Sequence, residues 1–254
     1  MILAVDIGNT HIVLGGFVDD ELVFTARIAT DTTGTEDEYA GKLINTMAVH
    51  SVSLDQIEGA VISSVVPPLT SIMKKAISFV FDVNVIVVGP GIKTGINLHC
   101  DVPSSVGADI ICCCVAAHNI YGSPSLIIDM GTATKMILVG ESGAFEGVSI
   151  IPGVMLGLNA LSEGTAQLPQ VNLENPCRVI AKNTVDCMKS GVIYGNASMI
   201  DGMIDRALEE YGSTVPVYAT GGLASTIIKY CRREITINDD LVLLGLNIIY
   251  KKNV

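Results

Sequence analysis

Basic residues are scarce in this chain. Fifteen lysines and arginines stand against 26 aspartates and glutamates, giving a net charge of -11, and no basic cluster exceeds Arg232-Arg233 or Lys251-Lys252. A surface of that sign repels phosphate backbones, so direct binding to nucleic acid is not expected. Long apolar runs are missing too. "IICCCVAA" and "VIVVG" are interrupted by Gly, Asp or Pro well short of the roughly 18 residues that a membrane span requires. No membrane helix is expected. The seven cysteines include no Cys-x-x-Cys pair, and Cys112, Cys113 and Cys114 stand in a row. That pattern reads as buried free thiols, not as a disulfide framework or a metal centre. The N-terminus has no positive leader, and Asp6 breaks what would be its apolar core, so a cytoplasmic location is expected. Walker A and G-x-G-x-x-G sequences are both absent, which excludes a P-loop and removes support for a Rossmann site.

What remains is a core-rich chain of 254 residues, 49% hydrophobic, long enough for one large domain or two small ones. Its first residues, "MILAVDIGNTHIVLGGF", form an apolar run that ends in Asp6-x-Gly8 and is followed by another apolar run. A second copy begins at Ser125, "SLIIDMGTATKMILVG", with Asp129 and Gly131 in the places of Asp6 and Gly8. Each copy reads as a three-stranded meander whose first turn carries Asp-x-Gly. After the first meander come a helix over Thr35 to His50, the strand "GAVISSV", a helix after Pro68, the strand "NVIVVG" and a helix over Val106 to Asn119. The second half repeats the scheme. It has helices over Val154 to Glu163 and Val185 to Glu210, the strand "VPVYATGG", and helices from Leu223 and Asp240. The connection "GTAQLPQVNLENPCRV" is expected to cross between subdomains or to touch a partner.

A duplicated βββαβαβ unit predicts an α/β protein of two similar ribonuclease-H-like lobes facing an interlobe cleft, with ligands at the strand ends. The lobes are expected over residues 1–122 and 123–254. Asp at a strand end suits hydrated Mg²⁺, which takes one or two carboxylates together with phosphate oxygens. A following Gly lets backbone approach a phosphate, and Asn9 and Thr10 add donors. Taken alone, one such turn is an ordinary β-turn. Two related copies, with a third loop at Thr220-Gly221-Gly222, favour a nucleotide site.

These residues resemble the actin and sugar-kinase ATPase superfamily. More narrowly, the chain is similar from end to end to the type III pantothenate kinase family. The resemblance rests on "DIGNT", "KTG" from Lys93, "VGAD" from Val106, "DMGTAT", Pro152-Gly153, "TAQLP", "KNT" from Lys182, Ser190-Gly191 and "ATGGL", in that order and spacing. It implies transfer of the ATP γ-phosphoryl group to the primary hydroxyl of pantothenate, the first step toward coenzyme A. By that resemblance Asp6, Ile7, Gly8, Asn9, Thr10, His11, Ile12 and Val13 would line the Mg-ATP phosphates, with Mg²⁺ on Asp6. Thr132, Gly221 and Gly222 would touch the same nucleotide. Asp109 would be the general base, and Cys100, Gly107, Ala108, Asp109, Ile110 and Thr184 would form the pantothenate site. Asp129 would hold a monovalent cation, K⁺ or NH₄⁺, and the protein would be a homodimer.

The chain departs from the family pattern mainly on the acceptor side. Ile110 stands where Arg is common, Cys100 and Val102 where Tyr and Asn are usual, and Ala181 where Gly precedes "KNT". Lys135, Met136 and Ile137 replace a stretch with Thr and then an acidic residue. A paralogue acting on another small alcohol and a non-catalytic nucleotide-binding regulator therefore stay open beside the kinase.

Overall fold

The computed structural model describes residues 1–176 and 178–254. Cys177, within the Pro-containing connection noted above, lies outside the described residues. The chain divides into two compact units. The first is Met1–Gly122 with Gly143–Phe145 and Asp240–Val254, and the second is Ser123–Ser142 with Glu146–Asp239.

The first unit opens with the antiparallel meander β1 (Ile2–Ile7), β2 (His11–Val18) and β3 (Glu21–Ala29). It continues through α1 (Glu36–Val49), β4 (Gly59–Ser64), α2 (Pro67–Phe81), β5 (Val85–Val87) and α3 (Ala108–Tyr121). Its sheet order is β3-β2-β1-β4-β5, with β1 parallel to β4. The second unit holds β6 (Ser125–Met130), β7 (Ala133–Val139), β8 (Phe145–Pro152), α4 (Val154–Glu163), α5 (Thr184–Tyr211), β9 (Val217–Thr220), α6 (Ala224–Ile227) and the two-residue β10 (Thr236–Ile237). Its sheet order, β10-β9-β6-β7-β8, is the same arrangement again, because β6 is antiparallel to β7 and parallel to β9. In both sheets the strand carrying Asp-x-Gly is the middle one.

Local chemistry explains the elements. Thr35 and Glu38 form a reciprocal capping box at the start of α1, which satisfies two backbone donors that a helix start leaves open. Tyr39, Ala40, Leu43 and Met47 then form the buried stripe of α1. Pro67 and Pro68 open α2, where a missing amide costs nothing. Alternation along β1 decides the two faces of its sheet. Leu3, Val5 and Ile7 pack on one side with Leu43, Leu69 and Met73, while Ala4 packs on the other with Cys112, Val115, Leu243 and Leu246. Asp6 belongs by period to the side of Ala4. The run "IICCCVAA" becomes the middle of α3, buried continuously from Ile110 to Ala117.

Two expectations change. The segment Asp240–Val254, expected in the second lobe, belongs to the first unit. Its helix α7 (Leu241–Lys251) puts Leu243, Leu246 and Ile249 into the cluster around Cys112, and Asn253 Nδ2 donates to the Lys93 carbonyl at 2.9 Å. The described residues of the connection after Glu163 do not cross between subdomains: Leu168, Val171 and Leu173 pack against the second core, and Lys189 Nζ meets Glu174 at 2.6 Å, which leaves its other expected role, a partner contact, open. Among the described residues no helix is long and apolar enough to cross a membrane.

The seam between α3 and α7 depends on Gly245, where a Cβ would fall 2.1 Å from the Cys112 carbonyl oxygen. Backbone cannot yield there. Gly245→Ala gains at most about 1 kcal/mol of helix propensity, and the overlap outweighs it. We expect a net loss of roughly 1–3 kcal/mol in unfolding free energy, measured by urea denaturation of wild type and variant.

Candidate active site

Each sheet presents its Asp-x-Gly turn at the end of the middle strand. In the first unit the turn after β1 is closed by the Gly8 amide donating to the His11 carbonyl at 3.0 Å. It is pinned from the strand beyond by Thr30, whose Oγ1 donates to the Gly8 carbonyl at 2.7 Å and whose amide donates to the Thr10 carbonyl at 3.1 Å. Asn9, Thr10 and His11 are exposed on this turn. Ile7 and Ile12, expected with them at the phosphates, are fully buried in the core, and Val13 packs toward the cluster of α7. The Ile7 and Ile12 side chains have no part in the site, because strand alternation turns them to the core face, whereas Val13 stands directly opposite Asp6 in the pairing of β1 with β2 and shares its face.

Asp6 lies directly across from Ser63 in the parallel pairing of β1 with β4, so both project on the α3 side of the sheet. The thiol that meets them is Cys112. Its pKa is pushed well above the ordinary thiol value, first by burial and then by the Asp6 and Asp109 carboxylates, while the Ser63 hydroxyl beside it pulls the other way. Two carboxylates from distant parts of the chain thus both bear electrostatically on one buried sulfur. Asp109 sits in the first turn of α3, its Oδ1 accepting the Ile110 amide at 2.8 Å. The partial positive charge of the helix start complements an acidic side chain at that position. Gly107, the cap of α3, leaves room for it, since a Cβ at Gly107 would lie 2.5 Å from Asp109 Oδ1. Ala108 is half-buried beside it, as is Cys100 in the loop before α3. Ile110 is only 5% exposed and belongs to the interior of the helix. It replaces a charged anchor with core packing.

In the second unit the Gly131 amide closes the turn onto the Ala133 carbonyl at 3.2 Å, and the Gly153 amide donates to the Thr132 carbonyl at 3.1 Å. Two glycines permit this approach. A Cβ at Gly153 would lie 2.2 Å from the Thr132 oxygen, and Gly221, at φ +94°, would place one 2.7 Å from the backbone of Met130. Thr132, Gly153 and Gly221, with exposed Gly222 next to the last, therefore come together at the end of β6. Thr184 is elsewhere in this unit, at the start of α5. It lines a largely apolar cavity of about 440 Å³ with Val154, Leu158, Leu168, Met188 and Asn196.

The donor sets decide which ions fit. Asp6, a hard oxygen donor at the end of a strand, suits Mg²⁺, which takes one or two carboxylates and completes its shell with water and phosphate oxygens. Asp129 differs. Its carboxylate is already met by Lys135 Nζ at 2.6 Å, with both side chains nearly buried. A diffusible monovalent cation does not fit against a carboxylate neutralised in this way.

Sequence reading missed Ser63 and Cys112 as members of the site, and also the load carried by Gly153. Strand pairing and helix placement bring the first two to Asp6, and neither is readable from spacing along the chain.

Two sheets of one topology, each with an Asp-x-Gly hairpin on its middle strand, define the two-lobed α/β class to which sugar kinases and related ATPases belong. Solved structures agree on the fold. A protein described as a candidate 2-dehydro-3-deoxygalactonokinase from Sinorhizobium meliloti matches with TM-score 0.64 at 13% identity, covering 99% of this chain and 96% of that one. Component A of (R)-2-hydroxyglutaryl-CoA dehydratase from Acidaminococcus fermentans matches with TM-score 0.56 at 17% identity, covering 98% and 96%. The family model for type III pantothenate kinase matches residues 2–206. Type III pantothenate kinases of Exiguobacterium sp. and Halalkalibacterium halodurans are 43% and 41% identical to it over 254 residues, all of this chain and 99% and 100% of those proteins. The chain belongs to the type III pantothenate kinase family.

The buried thiols give a test of how α3 is packed. Burial also pushes the Cys114 thiol from 9.0 up to about 12. A folded pKa raised above the unfolded one contributes stability that is complete below pH 9 and is lost as pH rises toward 12. Unfolding free energy should fall over that window, less steeply in Cys114→Ala. In the native protein at pH 8, iodoacetamide should label exposed Cys187 and leave Cys112 and Cys114 unmodified, as read by peptide mass spectrometry.

Proposed function

We propose that the chain transfers the γ-phosphoryl group of ATP to the primary hydroxyl of pantothenate, the step that commits pantothenate to coenzyme A. The observation that carries this reading is the register that puts Asp6 on the sheet face covered by α3, the helix with Asp109 in its first turn, with the phosphate-type turn of Gly8 to Thr10 at the end of the same strand. Phosphoryl transfer asks little covalent chemistry of a protein; positioning and charge neutralisation supply most of the catalysis. The acceptor oxygen bonds to the γ-phosphorus as the bridge to the β-phosphate breaks. ADP leaves, and the hydroxyl proton passes to Asp109. Asp6 would hold Mg²⁺, which neutralises charge on the phosphates. Gly8, Asn9, Thr10 and His11 would cradle those phosphates, with Thr132, Gly221 and Gly222 as the second unit's nucleotide contacts. Gly107, Ala108 and Cys100 would bound the acceptor.

One observation favours a second reading. Ile110 is buried and offers no charge-assisted bond to an anionic substrate, so a related small alcohol without a carboxylate is the alternative acceptor. A panel of acceptors including pantothenate and pantothenyl alcohol, read by ADP release, separates the two. Pantothenate-dependent release supports the first reading, preference for the uncharged alcohol supports the second, and no acceptor-dependent release overturns both. Asp109→Asn should lower kcat by about 10²- to 10⁴-fold, the usual share of a general base, with ATP affinity nearly unchanged. Equal turnover in that variant would remove Asp109 from its role.

A homodimer and a cytoplasmic location belong to the same proposal. Met155, Leu156 and Leu161 on α4 and Val185 at the start of α5 leave apolar side chains exposed, and such a patch suits a second copy of the chain. Light scattering on a sizing column should give twice the chain mass. Leu156→Glu should shift the distribution toward the monomer.

A further inference from the structure

We propose that Lys135 supplies, as part of the chain, the positive charge that the family resemblance assigns to a diffusible monovalent cation at Asp129. This inference rests on the nucleotide-site reading above. Asp129 and Lys135 are directly opposite in the antiparallel pairing of β6 with β7, so their side chains leave the sheet on one face. Lys135 Nζ is 2.6 Å from Asp129 Oδ2, and the two side chains are 13% and 11% exposed. The pair stands one step before the Gly131-Thr132 turn, and Asp129 is opposite Thr220 on its other flank.

The chemistry of the pair makes the substitution specific. An alkylammonium and NH₄⁺ present the same N–H donors and the same unit charge. Lys135 carries that group on a stem anchored in the sheet, so its presence beside the carboxylate does not depend on the concentration of a dissociable ion. A second monovalent cation would have to shed water and approach an ammonium within a nearly buried site, which is unfavourable at low local dielectric. Lys135 is thus a positioning residue. It holds Asp129 and the turn beside it in the arrangement that a bound cation would otherwise fix.

The test reads nucleotide binding and thermal stability without any acceptor, so a wrong acceptor assignment leaves its outcome intact. Binding of a fluorescent ATP analogue with Mg²⁺, and Tm, are measured in KCl, NH₄Cl and tetramethylammonium chloride at equal ionic strength. Wild type is expected to show the same affinity and the same Tm in all three salts. Lys135→Thr is expected to bind the analogue more weakly in tetramethylammonium and to recover at least about tenfold in K⁺ or NH₄⁺, while Lys135→Arg stays indifferent to the salt. A merely structural ion pair would lower Tm in Lys135→Thr without creating a K⁺ response. Tenfold tighter binding by wild type in K⁺ would overturn the proposal, as would a folded Lys135→Thr that ignores K⁺. If Lys135→Thr does not fold, the wild-type salt series decides alone, with indifference supporting the proposal and a K⁺ response overturning it. Loss of analogue binding in every salt by wild type would instead sink the nucleotide-site reading and this inference with it.

Discussion

The middle strand of each sheet is flanked on both sides by other strands and covered on at least one face, so its backbone is fully occupied by ladder hydrogen bonds. A charged side chain on such a strand is accommodated where the sheet gives out. Asp6 and Asp129 both occupy that point. What stands beside them differs between the units: Ser63 across the pairing of β1 with β4 in one, the Lys135 ammonium in the other. Everything that distinguishes the two halves chemically follows from that difference, because the turns that succeed the two aspartates are alike.

The first half is organised as an acid cluster beside a helix start. Ala4 is small enough for α3 to lie close, Gly245 lets α7 press onto α3 from behind, and Gly107 leaves space for the Asp109 carboxylate. These small residues decide where Asp109 stands. The chemistry proposed for it depends on packing two steps removed from the carboxylate. In the second half, glycines at 153 and 221 let two further loops meet the Gly131-Thr132 turn at contact distances that a Cβ would forbid.

Much of this was legible beforehand. The duplicated meanders, the order of helices and strands in the first half, and the ends of α1, α4 and α5 followed from alternation, capping residues and breakers. The two-residue β10 did not, since so short a pairing leaves no periodic trace. Ile7 and Ile12 lie within the motif, but alternation along the strands sends their side chains to the core, while Val13 falls on the face of Asp6. Lys135 was visible as a departure from the family pattern, but its meaning required the register of β6 against β7.

By itself, the sequence determined the class of fold, the repeat and the two turns, since these arise from interactions between residues near one another in the chain. Tertiary structure decided which carboxylates share a neighbourhood, which unit the final helix joins, and that Asp129 is paired with an ammonium. Those outcomes rest on strand register and on glycine-sized clearances between helices. Both are set by contacts across long stretches of chain, where a shift of one residue would turn every side chain to the opposite face.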